Sequence, residues 1–280
     1  ANNHLISEYC GLYIAGSYWK FRESVRWKNY GKAGLEKEII LQHNTEGINR
    51  EESSEYIQFI TDFFLLPLII GNNTKEPFSE GYHEMFRKII FYIRELTDNN
   101  GNILGYGDSD DGMAFMLGNS DPHKNFYSIL HAGAILFNDP DLIPSIPDAG
   151  CKNRVLLGSK AENISGPRSL RQIRPSAFYP GEGHYFMRSN SKTEHLSVHF
   201  DAAPLGYLSI AAHGHSDALS FTLSWNEQPV FIDPGTYCYH TLKEWRNYFR
   251  GTIAHNTIRI NGTDQAEIGG PTLWNNHYRV

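Results

Sequence analysis

Residues 219–232 read LSFTLSWNEQPVFI, and this stretch decides the fold class of the second half of the chain. Apolar and polar residues alternate from Leu219 to Trp225, which predicts a strand with one buried face. The polar segment 226–228 interrupts the alternation, which resumes at Val230. The pattern therefore predicts a β-hairpin with its turn at 226–228.

Further strands extend this prediction in both directions. Leu196, Val198 and Phe200 alternate with polar residues upstream, and we expect a last strand over 257–260. Residues 176–280 are therefore predicted to form an antiparallel sheet domain. A β-sandwich usually needs more strands than this stretch contains, so we expect the sandwich to be incomplete at its C-terminal end.

In the first half of the chain, the apolar residues recur with a different period. Apolar residues recur at helical spacing around 12–19, 56–64 and 82–93. Helices joined by polar turns are typical of an α/α stack, and we predict a helical domain over residues 1–150. The period disappears where Pro, Gly, Asp and Ser become frequent, and we place a linker at 151–175.

Composition limits the classes of function. Of the 280 residues, 40% are hydrophobic and 13% are aromatic, which is enough to fill a large core. There are 25 Lys and Arg residues against 31 Asp and Glu residues, and the formal net charge of −6 gives no basic field for nucleic acid. The longest apolar run, 63–70, is too short to span a bilayer. We therefore expect neither nucleic acid nor a membrane as a partner.

The start of the chain and its cysteines say less about function. The sequence begins at Ala1 without a charged start and an apolar stretch, and we expect the chain to be a piece of a longer protein. Cys10, Cys151 and Cys238 lie far apart, which favours free thiols over a disulfide framework or a cysteine metal site.

The strongest cluster of candidate ligands is the tripeptide His213-Gly214-His215. In an extended chain, His213 and His215 point to one side and could converge on one ion or one substrate, with a turn or surface role as the alternative. Asp233 ends the second strand of the predicted hairpin, and His255 begins the last predicted strand. Two imidazoles and one carboxylate suit Zn²⁺, with the fourth position left to water or another ligand.

Two stretches of the helical half carry candidate polar residues. His4 follows Asn2 and Asn3 at the head of the first predicted helix, where an N-cap is the simplest interpretation. Tyr56 follows the acidic segment 51–55, and a tyrosine in the core or at its rim is the default interpretation there.

Two other stretches leave several interpretations open. The segment 107–112, GDSDDG, alternates Asp with small residues as a calcium loop does, but Asn119 stands where such a loop needs a bidentate Glu. An interhelix loop and a polar loop beside the substrate are the alternatives. Arg250 closes a basic and aromatic cluster, 245–250, which fits a surface turn or a guanidinium that forks onto a carboxylate.

Taken together, the motifs resemble the heparinase II/III-like polysaccharide lyases. The matching segments occur in the family's order at 2–5, 51–56, 204–218, 232–237 and 248–257. The resemblance implies an α+β multidomain protein with an α/α toroid, incomplete at its N-terminus, followed by an antiparallel β-sandwich, incomplete at its C-terminus. It also implies an active site in the cleft between them.

The resemblance further implies cleavage of a uronic-acid-containing polysaccharide by β-elimination. Asn3 and His4 match the residues that neutralise the uronate carboxylate. Tyr56 matches the tyrosine that acts as base, as acid or as both, and His213 matches the histidine that acts as the opposite-side base or contacts the substrate. Which of Tyr56 and His213 acts depends on the epimer at C5.

The resemblance also assigns metal and substrate residues. His215, Asp233 and His255 match the family's zinc ligands, and we expect a zinc ion with an architectural role. Tyr237 and Arg250 are expected to contact carboxylate or hydroxyl groups of the substrate.

The substrate stays open among glycosaminoglycans, alginate-like polymers and bacterial exopolysaccharides, and the net charge of −6 favours weakly sulfated ones. A non-catalytic, zinc-containing polysaccharide-binding or assembly protein of the same fold is the alternative, and a zinc hydrolase is a third candidate. Family habit implies a bacterial protein in the periplasm or secreted. The oligomeric state stays open.

Overall fold

The computed structural model describes residues 2–99, 101–115, 117, 125–143, 150–162, 174–189, 191 and 194–280. The chain divides into two compact units. The first comprises Ala1–Asn49, Ile57–Arg94 and Asp111–Arg168, and the second comprises Arg50–Tyr56, Glu95–Asp110 and Ser169–Val280. Two short segments from the first half of the sequence therefore belong to the second unit.

Helices dominate the described residues of the first unit. The α-helices are α1 (Asn3–Tyr18), α2 (Ser24–Leu41), α3 (Tyr56–Asn73), α4 (Glu80–Leu96), α5 (Asn125–Phe137), α6 (Gly150–Leu157) and α7 (Lys243–Phe249). Helix α7 lies in the second unit, and the others lie wholly or mainly in the first. The three predicted helical periods fall on α1, α3 and α4, which confirms those helices.

Helices α1 and α2 approach each other at two glycines. A Cβ at Gly16 would lie 2.4 Å from the carbonyl oxygen of Ser24, and a Cβ at Gly31 would lie 2.6 Å from the amide nitrogen of Tyr13. Backbone atoms tolerate no Cβ at these distances, so only glycine permits the close approach. The approach leaves apolar side chains such as Leu35 completely buried.

The second unit contains a five-stranded antiparallel sheet with the strand order β1-β2-β3-β4-β5. Its strands are β1 (Ala177–Tyr179), β2 (His184–Arg188), β3 (Leu196–Asp201), β4 (Ser220–Trp225) and β5 (Gln228–Phe231). Strands β6 (Glu267–Gly270) and β7 (Leu273–Asn275) form a separate hairpin. Each strand pairs with its neighbours in sequence, so the larger sheet is a meander.

The predicted hairpin is confirmed between β4 and β5. Trp225 pairs with Gln228, so the turn consists of Asn226 and Glu227. Both turn residues have positive φ, 51° and 65°, as a two-residue turn between right-twisted strands requires. The Glu227 carboxylate accepts hydrogen bonds from the backbone and side-chain amides of Asn99 at 2.9 and 2.8 Å, which fixes this end of the hairpin.

The prediction of a strand over 257–260 is wrong. This segment makes an isolated bridge but no strand. The side-chain amide of Asn256 donates to the carbonyl oxygens of Phe221 and Ile232 at 3.0 and 2.9 Å. Side-chain hydrogen bonds therefore hold the chain beside the sheet where we expected a backbone ladder.

The predicted domain boundaries also differ from the observed units. Helix α6 occupies the start of the predicted linker 151–175, and the second unit includes residues only from Ser169 onward in that region. Residues 163–173 of the linker lie outside the described residues. Gly150 has a positive φ of 70° and stands at the start of α6, so this glycine begins a helix where a breaker was inferred.

The described strands supply one large sheet layer and the β6–β7 hairpin. A second large layer is not formed within the described ranges, so the closed sandwich and the toroid stay predictions. None of the described helices combines the length and apolar character needed to cross a membrane.

Replacing Gly31 by Ala is expected to destabilise the protein by about 1–3 kcal/mol, because the added methyl group overlaps the α1 backbone. Gly11→Ala is the matched control, since a Cβ at Gly11 meets no atom within 4 Å. It should be neutral or stabilise by up to about 1 kcal/mol through helix propensity. Urea unfolding followed by circular dichroism measures both, and equal stability of the two variants would contradict the close packing.

Candidate active site and metal centre

A fully buried carboxylate, Asp108, lies at the centre of the candidate site. Its Oδ1 accepts hydrogen bonds from His215 Nε2 at 3.0 Å and from the Thr236 hydroxyl at 3.3 Å. Its Oδ2 accepts from His213 Nδ1 at 3.2 Å. The Arg246 guanidinium donates to both oxygens, to Oδ2 at 2.8 Å. Two side chains of the tripeptide 213–215, here called the HGH motif, thus meet on one carboxylate.

These donors keep Asp108 ionised. Burial alone would raise its pKa, but the hydrogen bonds from His213, His215 and Arg246 outweigh burial and hold the pKa of Asp108 well below its usual range. An ionised carboxylate only accepts hydrogen bonds, so the two ring nitrogens that face it carry protons. In the neutral imidazoles, the lone pair is therefore on Nε2 of His213 and on Nδ1 of His215.

Backbone contacts clamp the same region. The Asp108 amide donates to the carbonyl oxygen of His213 at 2.8 Å, and the Ser53 hydroxyl donates to the carbonyl oxygen of Asp108. The Ser54 amide donates to the carbonyl oxygen of Tyr106 at 3.0 Å, and the Tyr106 amide donates to the Ser54 hydroxyl at 3.1 Å. Three segments of the second unit that are distant in sequence are thereby held together.

Gly214 allows the two histidines to face one carboxylate. A Cβ at this position would lie 1.5 Å from the carbonyl oxygen of Leu205, so no other residue fits without rearrangement. The indole N–H of the buried Trp274 donates to the carbonyl oxygen of Gly214 at 2.9 Å. Packing therefore fixes this loop. The sequence left open an extended segment whose histidines converge on one ion or one substrate, or a turn or surface role.

The predicted catalytic residues Tyr56 and His213 lie in contact. Their ring centroids are 4.1 Å apart, with 30° between the ring planes. The Glu51 carboxylate lies 3.8 Å from Nε2 of His213, where it can stabilise an imidazolium. The His213 side chain keeps 12% exposure beside the fully buried Asp108. Of His213 and Asp108, the imidazole of His213 is therefore the more accessible to solvent.

Carboxylates and a second phenol surround the hydroxyl of Tyr56. It donates to Asp110 Oδ2 at 3.2 Å and lies 3.0 Å from the hydroxyl of Tyr239, which itself donates to the carbonyl oxygen of Ser109. Burial is the largest cause that raises the pKa of Tyr56, and the charges of Asp110 and Asp108 add to it. The phenol therefore keeps its proton at neutral pH and is suited to donate it.

His215 also belongs to a group of candidate metal ligands. Ligand atoms of His215, Asp217, Asp233 and His255 all lie within 4.8 Å of one another. His255 Nδ1 lies 2.9 Å from Asp233 Oδ2, and Asp233 Oδ1 accepts from the Gly235 amide at 2.9 Å. The structure thus brings the three predicted ligands together and adds Asp217 to them.

This group fits a metal ion. Nδ1 of His215 and Nε2 of His255 are buried without a hydrogen-bond partner among the described residues. Such atoms cost folding free energy unless an ion or another ligand engages them. Burial raises the pKa of Asp217 well above its usual range, and a divalent cation would offset that penalty. Two imidazoles with carboxylates are a donor set that zinc prefers.

A neighbouring buried cluster has a different character. His184 places Nδ1 3.0 Å from His199 Nε2 and Nε2 3.0 Å from Glu52 Oε2. Burial would lower the pKa of His184, but the charge of Asp201 and the hydrogen bond with Glu52 raise it to about 9. Burial lowers the pKa of His199, so an imidazolium donates to a neutral imidazole. Ligand atoms of His184, His199 and Asp201 also lie close together, but here the nitrogens satisfy one another.

Asn3 and His4 lie at the start of α1, in the first unit. The Asn2 side chain caps this helix by accepting a hydrogen bond from the His4 amide at 3.2 Å. Asn3 is buried and the His4 side chain is exposed. Their role toward a uronate carboxylate stays a prediction.

The two predicted substrate contacts have different surroundings. Tyr237 is 65% exposed, and its ring stacks on Phe249 with the centroids 5.2 Å apart. Arg250 is fully buried, and its guanidinium donates to the carbonyl oxygen of Pro271 at 3.0 Å, in the turn between β6 and β7. This placement gives Arg250 a structural role and does not fit the predicted contact with substrate. The guanidinium that forks onto a carboxylate belongs to Arg246.

Two sequence-family models match the chain. The model described as Heparinase II/III N-terminus matches residues 1–128, and the model described as Heparinase II/III-like, C-terminal matches residues 171–280. The chain belongs to the heparinase II/III-like family. The first match includes Tyr56 and Asp108, and the second includes the HGH motif, so the two matches together cover both sides of the hydrogen-bonded centre.

Named relatives of this family resemble the chain over nearly its whole length. A heparin-sulfate lyase of Bacteroides stercoris is 23% identical over 97% of this chain and 38% of its own. The structure of heparan sulfate lyase HepC from Pedobacter heparinus has a TM-score of 0.67 at 20% identity, over 95% of this chain and 38% of that chain. A structure of heparinase III has a TM-score of 0.71 at 18% identity, over 96% and 42%. The chain thus spans about two fifths of these relatives and shares their fold there.

Sequence reasoning missed four residues that the structure places in the candidate site. They are the central carboxylate Asp108 and the side chains of Arg246, Tyr239 and Asp217. Asp217 had a signal, since it follows His215 by two residues. Asp108 stood in the segment 107–112, but its partners are more than 100 residues away. The donors around Asp108 do not favour the calcium interpretation of that segment, because a cation binds acceptors.

The pKa of His184 generates a prediction for the pH dependence of stability. An imidazole whose pKa rises from 6.5 to about 9 on folding stabilises the folded state fully below pH 6.5 and loses that contribution as the pH rises to 9. The destabilisation by His184→Gln should therefore shrink between pH 6.5 and 9, by roughly 3 kcal/mol at most.

Urea unfolding at both pH values measures this change. His240→Gln, at an exposed position outside this cluster, is the control for the exchange of histidine for glutamine. An effect of His184→Gln that is the same at pH 6.5 and pH 9 would show that His184 does not hold its extra proton.

Proposed function

We propose that this chain carries the base, the acid and the metal centre of a lyase that cleaves a uronic-acid-containing polysaccharide by β-elimination. The observation that carries the proposal is the contact between Tyr56, a phenol that keeps its proton, and His213, an imidazole with its proton held by Asp108. Membership of the heparinase II/III-like family and the heparan sulfate lyases among its relatives support it.

The elimination needs one group to take a proton and another to give one. Nε2 of His213 removes the C5 proton of the uronate, and the electron pair forms a double bond between C4 and C5. The bond from C4 to the glycosidic oxygen breaks, and the Tyr56 hydroxyl protonates that oxygen as it leaves. No water is consumed, and one product carries an unsaturated uronate.

The surroundings of the two side chains support this division of roles. Burial and nearby carboxylates raise the pKa of Tyr56, which opposes its use as a base. His213 presents Nε2 with its lone pair, and the Glu51 carboxylate 3.8 Å away stabilises the imidazolium that forms. We therefore propose His213 as the base and Tyr56 as the acid, which the sequence left open.

Removal of the C5 proton also requires neutralisation of the adjacent carboxylate. Negative charge builds up on that group in the transition state, and hydrogen-bond donors stabilise it there. We propose Asn3 and His4 for this role, as the family resemblance implies. The side-chain amide of Asn3 and the imidazole of His4 can both donate.

The names of the relatives and the net charge of the chain support a proposal for the substrate class. The relatives are named for heparin or heparan sulfate, so we propose a glycosaminoglycan of that kind. The net charge of −6 favours polymers of low sulfation among them. We also propose a periplasmic or secreted location, as the family resemblance implies.

We propose that zinc is held by His215, Asp233 and His255, with Asp217 as a further ligand. The buried ring nitrogens without partners among the described residues support this assignment. Zinc would supply a rigid cross-link between the HGH loop and the chain after β5. Elimination consumes no water, so the chemistry does not require the metal to activate one.

The variant Tyr56→Phe is expected to lower kcat by about 10²–10⁴-fold, because the leaving oxygen loses its proton donor. Absorbance of the unsaturated uronate measures turnover on hyaluronan, chondroitin, heparan sulfate, alginate and unsulfated exopolysaccharides. Tyr185→Phe removes a hydroxyl from β2 without touching this centre and should keep full activity.

Unchanged turnover of Tyr56→Phe would remove Tyr56 from the mechanism. A protein that binds zinc and a polymer but produces no unsaturated product would favour the binding-protein alternative.

Purified protein is expected to contain one zinc ion per chain. Replacing His255 by Gln should weaken zinc binding by at least roughly 100-fold, since even outer-shell changes reach that magnitude. It should also remove the stabilisation against unfolding that added zinc gives the unmodified protein. Elemental analysis and thermal unfolding with and without a chelator test this, with the exposed His240→Gln as the variant that should retain its zinc.

A further inference from the structure

We propose that Asp108 is a positioning residue that serves both centres at once. Through Oδ2 it orients His213 toward the substrate, and through Oδ1 it orients His215 toward the metal. The inference rests on the proposed function, since it concerns the base and a ligand assigned there. Asp108 itself contacts neither the substrate nor the ion.

The two histidines have the same requirement for different reasons. A histidine that binds a metal through one nitrogen needs an acceptor for the proton on the other, usually a carboxylate or a carbonyl oxygen. A histidine that acts as a base needs its own proton on the nitrogen remote from the substrate, and a buried carboxylate holds it there. Asp108 meets both requirements, at 3.0 Å from His215 and 3.2 Å from His213.

Arg246 makes this double use possible. A buried carboxylate without a cation is costly, and two neutral imidazoles would not balance its charge. The guanidinium in α7 balances it with a two-pronged contact to both oxygens. Arg246 therefore balances the charge of Asp108, and each carboxylate oxygen is left to hold one histidine N–H.

The arrangement also couples the two centres. Only Gly214 separates the histidines, and its backbone is confined by Leu205 and Trp274. A shift of His215 on loss of the metal is therefore transmitted to His213 through the loop and the shared carboxylate. Metal removal is expected to impair the base even though the ion does not touch it.

The variant Asp108→Asn tests the proposal. An amide accepts at one position and donates at the other, so one of the two histidine N–H groups faces a donor. Zinc affinity is expected to fall by about 10–100-fold, the range for lost outer-shell partners. The kcat is expected to fall by about 10²-fold or more even at saturating zinc, with KM changed by less than about threefold, since proton transfer is impaired and binding is not.

Two measurements separate these effects. Competition between the protein and a chromophoric chelator for Zn²⁺ alone gives the affinity without any turnover. Steady-state elimination at saturating zinc gives kcat and KM. Glu244→Gln is the matched control, because it changes an exposed carboxylate to an amide on α7 and should alter neither quantity.

A second variant guards against simple misfolding. Asp108→Asn combined with Arg246→Gln replaces the ion pair by two neutral amides, so no buried charge is left without a partner. It should show both losses while it keeps the circular dichroism spectrum of the unmodified protein.

The outcomes distinguish the inference from the proposed function. Unmodified protein that binds no zinc or forms no unsaturated product would contradict the proposed function and the inference with it. If the unmodified protein binds zinc and forms unsaturated product, unchanged zinc affinity in the Asp108 variants would overturn the inference alone. Full recovery of kcat at saturating zinc would also overturn it, because Asp108 would then serve only the metal.

Discussion

The buried ion pair between Asp108 and Arg246 is the interaction on which the second unit depends. A charged carboxylate without solvent is tolerated only where donors surround it, and here they come from the HGH loop, from Thr236 and from α7. These donors are far apart in sequence, so the carboxylate can be satisfied only after the chain has folded around it. The same pair balances the charge of the carboxylate, whose two oxygens hold the two imidazoles of the candidate site.

Charge balance supports the cation that we propose on the far side of His215. Asp201 and Asp217 are buried, and burial raises the pKa of both. His184 carries a proton and offsets the charge of Glu52, its hydrogen-bond partner. The carboxylates of Asp217 and Asp233 lie close to His215 and His255. Nδ1 of His215 and Nε2 of His255 have no hydrogen-bond partner among the described residues. A divalent cation would satisfy those nitrogens and offset the carboxylates in one step.

Secondary structure that depends on a local hydrophobic period could be predicted from the sequence. Contacts between residues that are distant in sequence could not. The hairpin at Asn226 and the helices α1, α3 and α4 follow from periods that a short window contains. Arg246 and Arg250 stand four residues apart in one cluster, and only the folded environment sends Arg246 to Asp108 and Arg250 to Pro271. The segment 257–260 alternates like a strand, yet side-chain hydrogen bonds replace its ladder. Motif resemblance supplied the metal ligands that period alone left open.

In the proposed mechanism, one glycine keeps metal binding and proton transfer apart while they share a carboxylate. If His213 and His215 both faced one ion, one of the interpretations that their spacing left open, the proposed base would lose its lone pair to the metal. The contact of Gly214 with Leu205 instead turns both rings toward Asp108, so that each keeps its second nitrogen for a different partner. An elimination without water has no need of a metal-activated nucleophile, so the proposed ion would act at a distance, through the position it gives His213.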